Sequence, residues 1–356
     1  MRRIFVSAGE PSGDERGAEV VKELLKIEPD LEIVGMGGPR MAEAGVKLTA
    51  DITRGGGVVG VQEALGRIGT LMELVAKLAR EAMASDLMLT IDYPGFHLYL
   101  ASKVNHPKAI YYIPPQTWAW GGFRIGLLSR YYKKLICILP FEERYFREKG
   151  LDALFVGHPL VDKLQNIKPV ERRGSPVFAF LPGSRPHEVK RLCEKFTAVK
   201  NILKARFREA DFLLSLLPGL ERFWPPDPDF RVFPGMAPEV LSASDVALVA
   251  SGTASLEAGY LGVPSVVVYM VSELTYWLAR GMVKVPYASL TNIILGREVF
   301  PEHIQHINPE RVARDMTEGV ERGPQAVREA LSGLREALGY PGAGKRAAEA
   351  LVEALG

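Results

Sequence analysis

Cysteine is scarce: only Cys137 and Cys193 occur in 356 residues. Neither stands at metal-ligand spacing from the other or from a histidine, so buried, idle thiols are expected rather than a disulfide framework or a zinc site, in keeping with a reducing cytoplasm. No apolar run reaches the roughly 18 to 20 residues that cross a bilayer, so any membrane contact is expected to be peripheral. The start, Met1-Arg2-Arg3-Ile4-Phe5-Val6-Ser7, enters a strand pattern without a signal-peptide core, and export is not expected. Neither sign of charge dominates. With 44 Lys and Arg against 42 Asp and Glu, a formal charge of +2, no whole-molecule attraction to nucleic acid is expected and any basic site is local. Histidine is also sparse, and no paired His, acidic cluster or Asp-x-Asp of the type that holds a metal with a diphosphate is read, so neither metal nor cofactor is implied. His158, in a Gly-His-Pro turn, reads as a hinge residue.

What is present is the composition of a soluble globular enzyme, 47% hydrophobic and 24% charged, long enough for two domains at roughly 100 to 200 residues each. Short apolar runs alternate with helical periods: IFVSA, EIVGMG, DLMLTID, AIYYIP, KLICIL and ALFVG, with a long helix predicted from Val61 to Met83. A polar stretch from Pro159 to Pro176 interrupts the pattern, which restarts at VFAFLPGSR and runs through DFLLSLLPG, SDVALVASGT and VPSVVVYM. The reading is α/β, two Rossmann-like domains facing across a cleft: 1–165, 175–308, and a helical tail 309–356, broken near Tyr340-Pro341-Gly342, that could pack back on the first domain.

Open parallel sheets bind ligands beyond the carboxyl ends of their strands, so the post-strand loops are the places to look. Gly9-Glu10-Pro11-Ser12-Gly13-Asp14 pairs two glycines with a helix-capping serine; an anion or sugar hydroxyl at its amides and a plain strand-helix turn both fit. In Ile91-Asp92-Tyr93-Pro94-Gly95-Phe96, Asp92 reads either as an N-cap or as a general base whose pKa a cleft raises. Pro114-Pro115-Gln116-Thr117-Trp118-Ala119-Trp120 lines a sugar cleft or is a packed loop. Leu181-Pro182-Gly183-Ser184-Arg185 offers amides and a guanidinium to phosphate oxygens, or is a surface turn. In Ala250-Ser251-Gly252-Thr253-Ala254-Ser255-Leu256-Glu257, amides at a helix start suit a diphosphate, and Glu257, one turn on, suits ribose hydroxyls; a capped helix with a solvated Glu is the alternative.

Taken in order, SAGEPSGD, VGMGGPRMAEAG, VGVQEALGRI, IDYPGF, YYIPPQTWAW, LPFEERYF, FVGHPLVD, LPGSR, ASGTASLE and YASLTNIILGR make the chain similar, nearly end to end, to the lipid-A-disaccharide synthase family. That resemblance implies the two-domain glycosyltransferase-B fold and inverting transfer of a diacylated glucosamine from its UDP form to the 6-hydroxyl of a diacylated glucosamine 1-phosphate. It further implies Asp92 as base and Arg185 as a diphosphate contact. Ser251, Gly252 and Thr253 become the diphosphate loop, Glu257 the ribose acceptor and Asn292 a donor-site polar group. Glu10, Ser12, Gly13, Asp14, Gln116 and Trp118 are the remaining substrate-binding candidates. Gly95 stands where the family commonly has an acid and Gly121 where it has a basic residue, a charge that Arg124 could supply; Pro11 and Ile293-Ile294-Leu295 also differ from the commonest forms.

The expected partners are a UDP-sugar donor, an acylated sugar phosphate acceptor and a membrane surface. The apolar stripe Leu65, Ile68, Leu71, Met72, Val75 and Leu78, with Arg67, Lys77 and Arg80 nearby, reads either as core or as a peripheral membrane face aided by Arg124, Arg130, Lys133 and Lys134. A homodimer and exchange of the tail between subunits stay open. Two rival functions stand beside the transferase: an epimerase or transferase acting on another UDP-sugar, and a nucleotide-sugar binding protein without turnover.

Overall fold

A computed structural model of the chain describes residues 2–53, 68–272 and 285–356. These described residues fall into two compact units, one lying within 1–162 together with 338–356 and the other within 163–337.

In the first unit, strands β1 (Arg3–Ala8), β2 (Glu32–Gly37), β3 (Lys47–Asp51), β4 (Leu87–Ile91), β5 (Ala109–Tyr112), β6 (Lys134–Cys137) and β7 (Ala153–Phe155) lie in the order β3-β2-β1-β4-β5-β6-β7, with every pairing parallel. Between and after them come helices α1 (Pro11–Ile27), α2 (Pro39–Glu43), α3 (Ile68–Met83), α4 (Pro94–Val104), α5 (Arg124–Tyr131), α6 (Glu142–Arg147) and α7 (Leu160–Lys163). Alternation along β1 sorts its side chains between two cores. Ile4, Val6 and Ala8 join Val21 and Leu24 of α1, whereas Phe5 joins Val75 and Leu78 of α3. Both faces are therefore covered, which is why every residue of β4, LMLTI, is buried and all but Thr90 are apolar.

The second unit repeats the design with β8 (Val177–Leu181), β9 (Asp211–Leu214), β10 (Phe230–Val232), β11 (Val246–Ala250), β12 (Ser265–Tyr269) and β13 (Glu302–Ile304), in the order β10-β9-β8-β11-β12-β13, again parallel throughout. Its helices are α8 (Pro186–Arg206), α9 (Ala237–Ala243), α10 (Thr253–Leu261), α11 (Leu290–Leu295), α12 (Pro309–Ala330) and α13 (Leu334–Ala337).

The segment from Pro309 onward is not one tail. Helix α12 packs on α8 within the second unit, while α14 (Ala343–Leu355) lies along α1 in the first. Small residues bring these last two helices close: Ala343, Gly344, Ala347 and Ala348 are buried, and a Cβ on Gly344 would meet that of Glu19 at 3.4 Å. Asp162 fixes the start of α14 by accepting the amides of Gly342 at 2.6 Å and Ala343 at 3.2 Å.

The stripe offered as a membrane face is partly core. Val75 and Leu78 are buried and Leu71 packs beside them, whereas Met72 is exposed; residues 61–67 of the expected helix lie outside the described residues. No described helix is long and apolar enough to cross a membrane.

Candidate active site

In each sheet the winding reverses once, between β1 and β4 in the first unit and between β8 and β11 in the second. The loops after those four strands flank the crevice where such sheets bind ligands, and four of the five candidate loops are these.

In the first unit the loop after β1 touches the loop after β4 through a missing side chain: a Cβ on Gly9 would fall 2.3 Å from the Tyr93 ring. Only glycine fits there. Beyond it, Glu10 occupies the N-cap of α1 with Pro11 next, so Ser12 lies inside the first turn and is not the cap it resembled; both Glu10 and Ser12 are exposed. Gly13 is buried, and its Cβ would meet that of Ala8 at 3.2 Å, so it serves close helix-strand packing. Asp14 is buried too. Its carboxylate accepts the amides of Gly38 (2.7 Å), Arg40 (3.1 Å) and Met41 (3.0 Å), tying down the start of α2 rather than facing a ligand.

Asp92 follows the last residue of β4, and the N-cap position of α4 belongs to Tyr93, one residue later. Both have left-handed backbones, φ 50° for Asp92 and 51° for Tyr93. Such geometry in a non-glycine residue costs on the order of 1–3 kcal/mol and persists only where the surroundings over-determine it. Here they do: the Asp92 amide donates to the Tyr112 carbonyl (3.0 Å), and its own carbonyl accepts from His97 Nδ1 and from the Tyr111 hydroxyl, each at 2.6 Å.

The two tryptophans after β5 have opposite fates. Trp118 is buried, packed edge-on against Phe141 at 4.8 Å, and its Nε1 donates to Glu142 at 2.9 Å. Trp120 is 46% exposed, with the Arg124 guanidinium 4.3 Å above its ring. That guanidinium also sits where Gly121 has no side chain, 3.0 Å from the position of its absent Cβ. Gln116 is exposed beside them. Glu142, fully buried, has its pKa pushed up to about 7 by burial, against the hydrogen bonds from Trp118 and from the amides of Leu139 and Ile138.

In the second unit, Glu188 reaches back to accept the amides of Ser184 (3.1 Å) and Arg185 (3.2 Å), so these amides are occupied and do not await a phosphate. The Arg185 side chain remains 64% exposed, 3.9 Å from Glu188. Ser251 is likewise occupied: its amide donates to the Val268 carbonyl and its hydroxyl to the Ala288 carbonyl, both at 2.8 Å. The amides left without an acceptor among the described residues therefore begin one residue further on. Gly252, with φ 135°, caps α10, and among the described residues no acceptor faces the amides of Gly252 and Thr253. Glu257, one turn along, is 6% exposed and 3.2 Å from Lys163 Nζ, so it is a buried, paired carboxylate rather than a solvated one.

Asn292 does not offer a polar group to a ligand. It is wholly buried; its Oδ1 accepts the amides of Val299 (2.9 Å) and Phe300 (3.0 Å), and its Nδ2 donates to the Phe300 carbonyl and to Glu302, both at 2.8 Å. All four hydrogen-bonding positions are used. Glu302 in turn accepts the amides of Ala288 (2.7 Å) and Ser289 (2.9 Å), so this pair braces the stretch that holds Ser251. Contrary to expectation an Asp-x-Asp does occur, Asp227-Pro228-Asp229, but its carboxylates are engaged by lysines: Lys200 lies 2.8 Å from Asp227 and 3.0 Å from Asp229, which Lys204 also contacts.

Three residues that organise these loops escaped the sequence reading: His97, Glu142 and Glu302. His97 lies one turn into the helix after Asp92, Glu142 within LPFEERYF, and Glu302 in a short strand carrying no motif. Only the first two had a signal, their nearness to a quoted motif.

A family model for lipid-A-disaccharide synthetase matches residues 4–332. The lipid-A-disaccharide synthase of Myxococcus xanthus (strain DK1622) is 39% identical over 377 aligned positions, covering 99% of this chain and 97% of the relative. Among solved structures, the kitacinnamycin glycosyltransferase superposes with a TM-score of 0.65 at 15% identity, covering 100% of this chain and 98% of the other. The UDP-GlcNAc 2-epimerase of Neisseria meningitidis, bound to UDP-GlcNAc, gives 0.62 at 12% identity, covering 99% and 100%. Transferases and epimerases share this two-domain glycosyltransferase-B fold, so fold leaves the epimerase rival standing. The sequence match over nearly the whole length removes it: the chain belongs to the lipid-A-disaccharide synthase family.

Proposed function

We propose that this chain performs the family's transfer, of 2,3-diacylglucosamine from its UDP derivative to the 6-hydroxyl of 2,3-diacylglucosamine 1-phosphate, with Asp92 as the base. Asp92 takes the hydroxyl proton as the oxygen attacks the anomeric carbon. The bond from that carbon to the diphosphate breaks, UDP leaves with the electron pair, and inversion gives the β-1,6 disaccharide. The observation that carries this reading is the backbone of Asp92: a carboxylate at the switch point, held in a strained conformation by two buried donors.

UDP is assigned to the second unit. The amides of Gly252 and Thr253, at the positive end of α10, and the Arg185 guanidinium stabilise the charge that grows on the diphosphate. Glu257 accepts the ribose hydroxyls. In the first unit Glu10, Ser12 and Gln116 contact the acceptor, while Gly13, Asp14 and Trp118, with Ser251 and Asn292 in the second, hold the backbone that presents these groups. A membrane surface is met by the loop and helix around α5, where Trp120, Phe123 and Leu127 are exposed beside Arg124, Arg130 and Lys133. Lys134, counted earlier with them, lies 3.7 Å from Asp152 and 3.9 Å from Glu353 and is left out.

The deciding experiment is Asp92→Asn assayed with both acylated substrates. Removal of a general base predicts a loss of about 10²–10⁴-fold in kcat, with UDP affinity by calorimetry unchanged. An unchanged rate removes Asp92 as the base.

A further inference from the structure

The loop that carries Asp92 is held by groups that the transfer reaction itself does not use. His97, Ser7, Thr90, Tyr111 and Tyr132 are all buried, and they come from β1, β4, β5, α4 and the turn after α5. The His97 ring lies between two partners: Nε2 is 2.9 Å from the Ser7 hydroxyl, and Nδ1 is 2.6 Å from the Asp92 carbonyl. A carbonyl can only accept, so Nδ1 carries the hydrogen and Nε2, with the lone pair, accepts from Ser7. The Tyr111 hydroxyl donates to the same Asp92 carbonyl at 2.6 Å. Behind them the Tyr132 hydroxyl donates to the His97 carbonyl at 3.2 Å, and Thr90 donates to that hydroxyl at 3.0 Å. Two strong donors thus converge on one carbonyl, that of the residue whose backbone is left-handed.

We infer that His97, seconded by Tyr111, is a positioning residue for the transfer: it locks the Asp92-Tyr93 backbone in the left-handed conformation that aims the Asp92 carboxylate at the acceptor hydroxyl. The inference rests on the reading of Asp92 as the base. Its physical ground is that a left-handed Asp-Tyr pair relaxes toward ordinary backbone angles once its anchors go, and a base displaced by about 1 Å loses on the order of 10²-fold in rate. The ring acts as a neutral anchor and never meets substrate. Burial alone lowers its pKa to about 4, against the opposing hydrogen bond to the Asp92 carbonyl, so it stays uncharged across the working range of pH.

The test is a set of substitutions read by kcat, KM and UDP affinity together. His97→Ala lowers kcat by about 10- to 100-fold while KM for both substrates and the Kd for UDP stay within about threefold. His97→Asn, whose Nδ2 stands near the place of Nδ1 and can still donate to the carbonyl, restores most of the rate, whereas His97→Leu does not. Tyr111→Phe, which deletes one oxygen, lowers kcat by about 3- to 10-fold and serves where His97→Ala fails to fold. In an Asp92→Asn background, His97→Ala adds little further loss, because both changes act on one group. The inference is overturned if Tyr111→Phe and a folded His97→Ala both keep the parental kcat. It is also overturned if Asn and Leu at position 97 lose activity equally and in step with melting temperature, which would mark a role in folding alone. Failure of the base reading looks different: Asp92→Asn itself then retains its rate, whatever the variants at position 97 do.

Discussion

The switch points of the two units lie at the same place in the same strand order, but they are equipped in opposite ways. The second presents an unstrained helix start. Gly252 turns the chain at φ 135°, the first amides of α10 meet no acceptor among the described residues, and carboxylates elsewhere hold the neighbouring backbone. The first presents a carboxylate on a left-handed backbone that two buried donors hold in place. On the proposed assignment of base and diphosphate, the difference teaches what each task requires. A diphosphate is recognised by charge and by a cone of N–H donors, which any helix start supplies at little cost in strain. A base must aim one oxygen at one hydroxyl, and that geometry is worth stabilising against an unfavourable backbone.

Substitutions should separate these designs by kinetics and affinity. The largest effect is expected at Asp92→Asn, which strikes kcat and spares UDP. Its counterpart, Arg185→Ala, removes a charge-assisted contact and should weaken UDP binding by about 10- to 100-fold, on the order of 1.5–3 kcal/mol. Unaltered calorimetric affinity would refute the diphosphate role of Arg185.

Acid should also distinguish the units. Burial depresses His97 to about 4 and His158 to about 3, both in the first unit. A group with a lowered folded-state pKa contributes stability that is complete above its unfolded value, about 6.5, and is lost as pH falls toward the folded one. Glu142, raised to about 7, opposes this: its contribution is present below about 4.5 and lost as pH rises. Glu19 is raised by burial as well, but the two strongly depressed histidines outweigh these carboxyls, so the urea midpoint of the first unit should fall between pH 6.5 and 4.5. His97→Asn should flatten that fall by roughly 2 kcal/mol. A parallel, unflattened curve would contradict a neutral His97.

The smallest effect expected is at the membrane. Phe123, 74% exposed, and Arg130 lie on or beside α5. Changing both to Ser should reduce co-sedimentation with anionic vesicles by a few-fold at low salt, leaving turnover of detergent-dispersed substrate intact. Full recovery of the parent protein in the supernatant would dispose of this contact.

Much of the fold was legible because parallel strands covered on both faces appear as continuous apolar runs, and the loops after them announce themselves with glycine and proline. Asp92, Arg185 and Glu257 stood out in those loops as candidates for chemistry. Asp14 and Asn292 stood out equally, and their side chains turned inward. For Asp14 the cause lies 24 to 27 residues away, at the amides of Gly38 and Met41, and sequence spacing carries no sign of such a partner. Trp118 and Trp120 are two residues apart and look alike in the sequence, yet Glu142 captures one and Arg124 stacks on the other.

By itself the sequence determined the class of the fold, the domain repeat and the family, since all three are written in local periodicity and in the order of motifs. Tertiary structure alone decided which polar residues face outward, which unit each part of the segment after Pro309 joins, and that His97 anchors Asp92. Those outcomes depend on which distant groups claim each donor and acceptor, and buried hydrogen bonds are assigned by the folded backbone, not by the neighbouring letters.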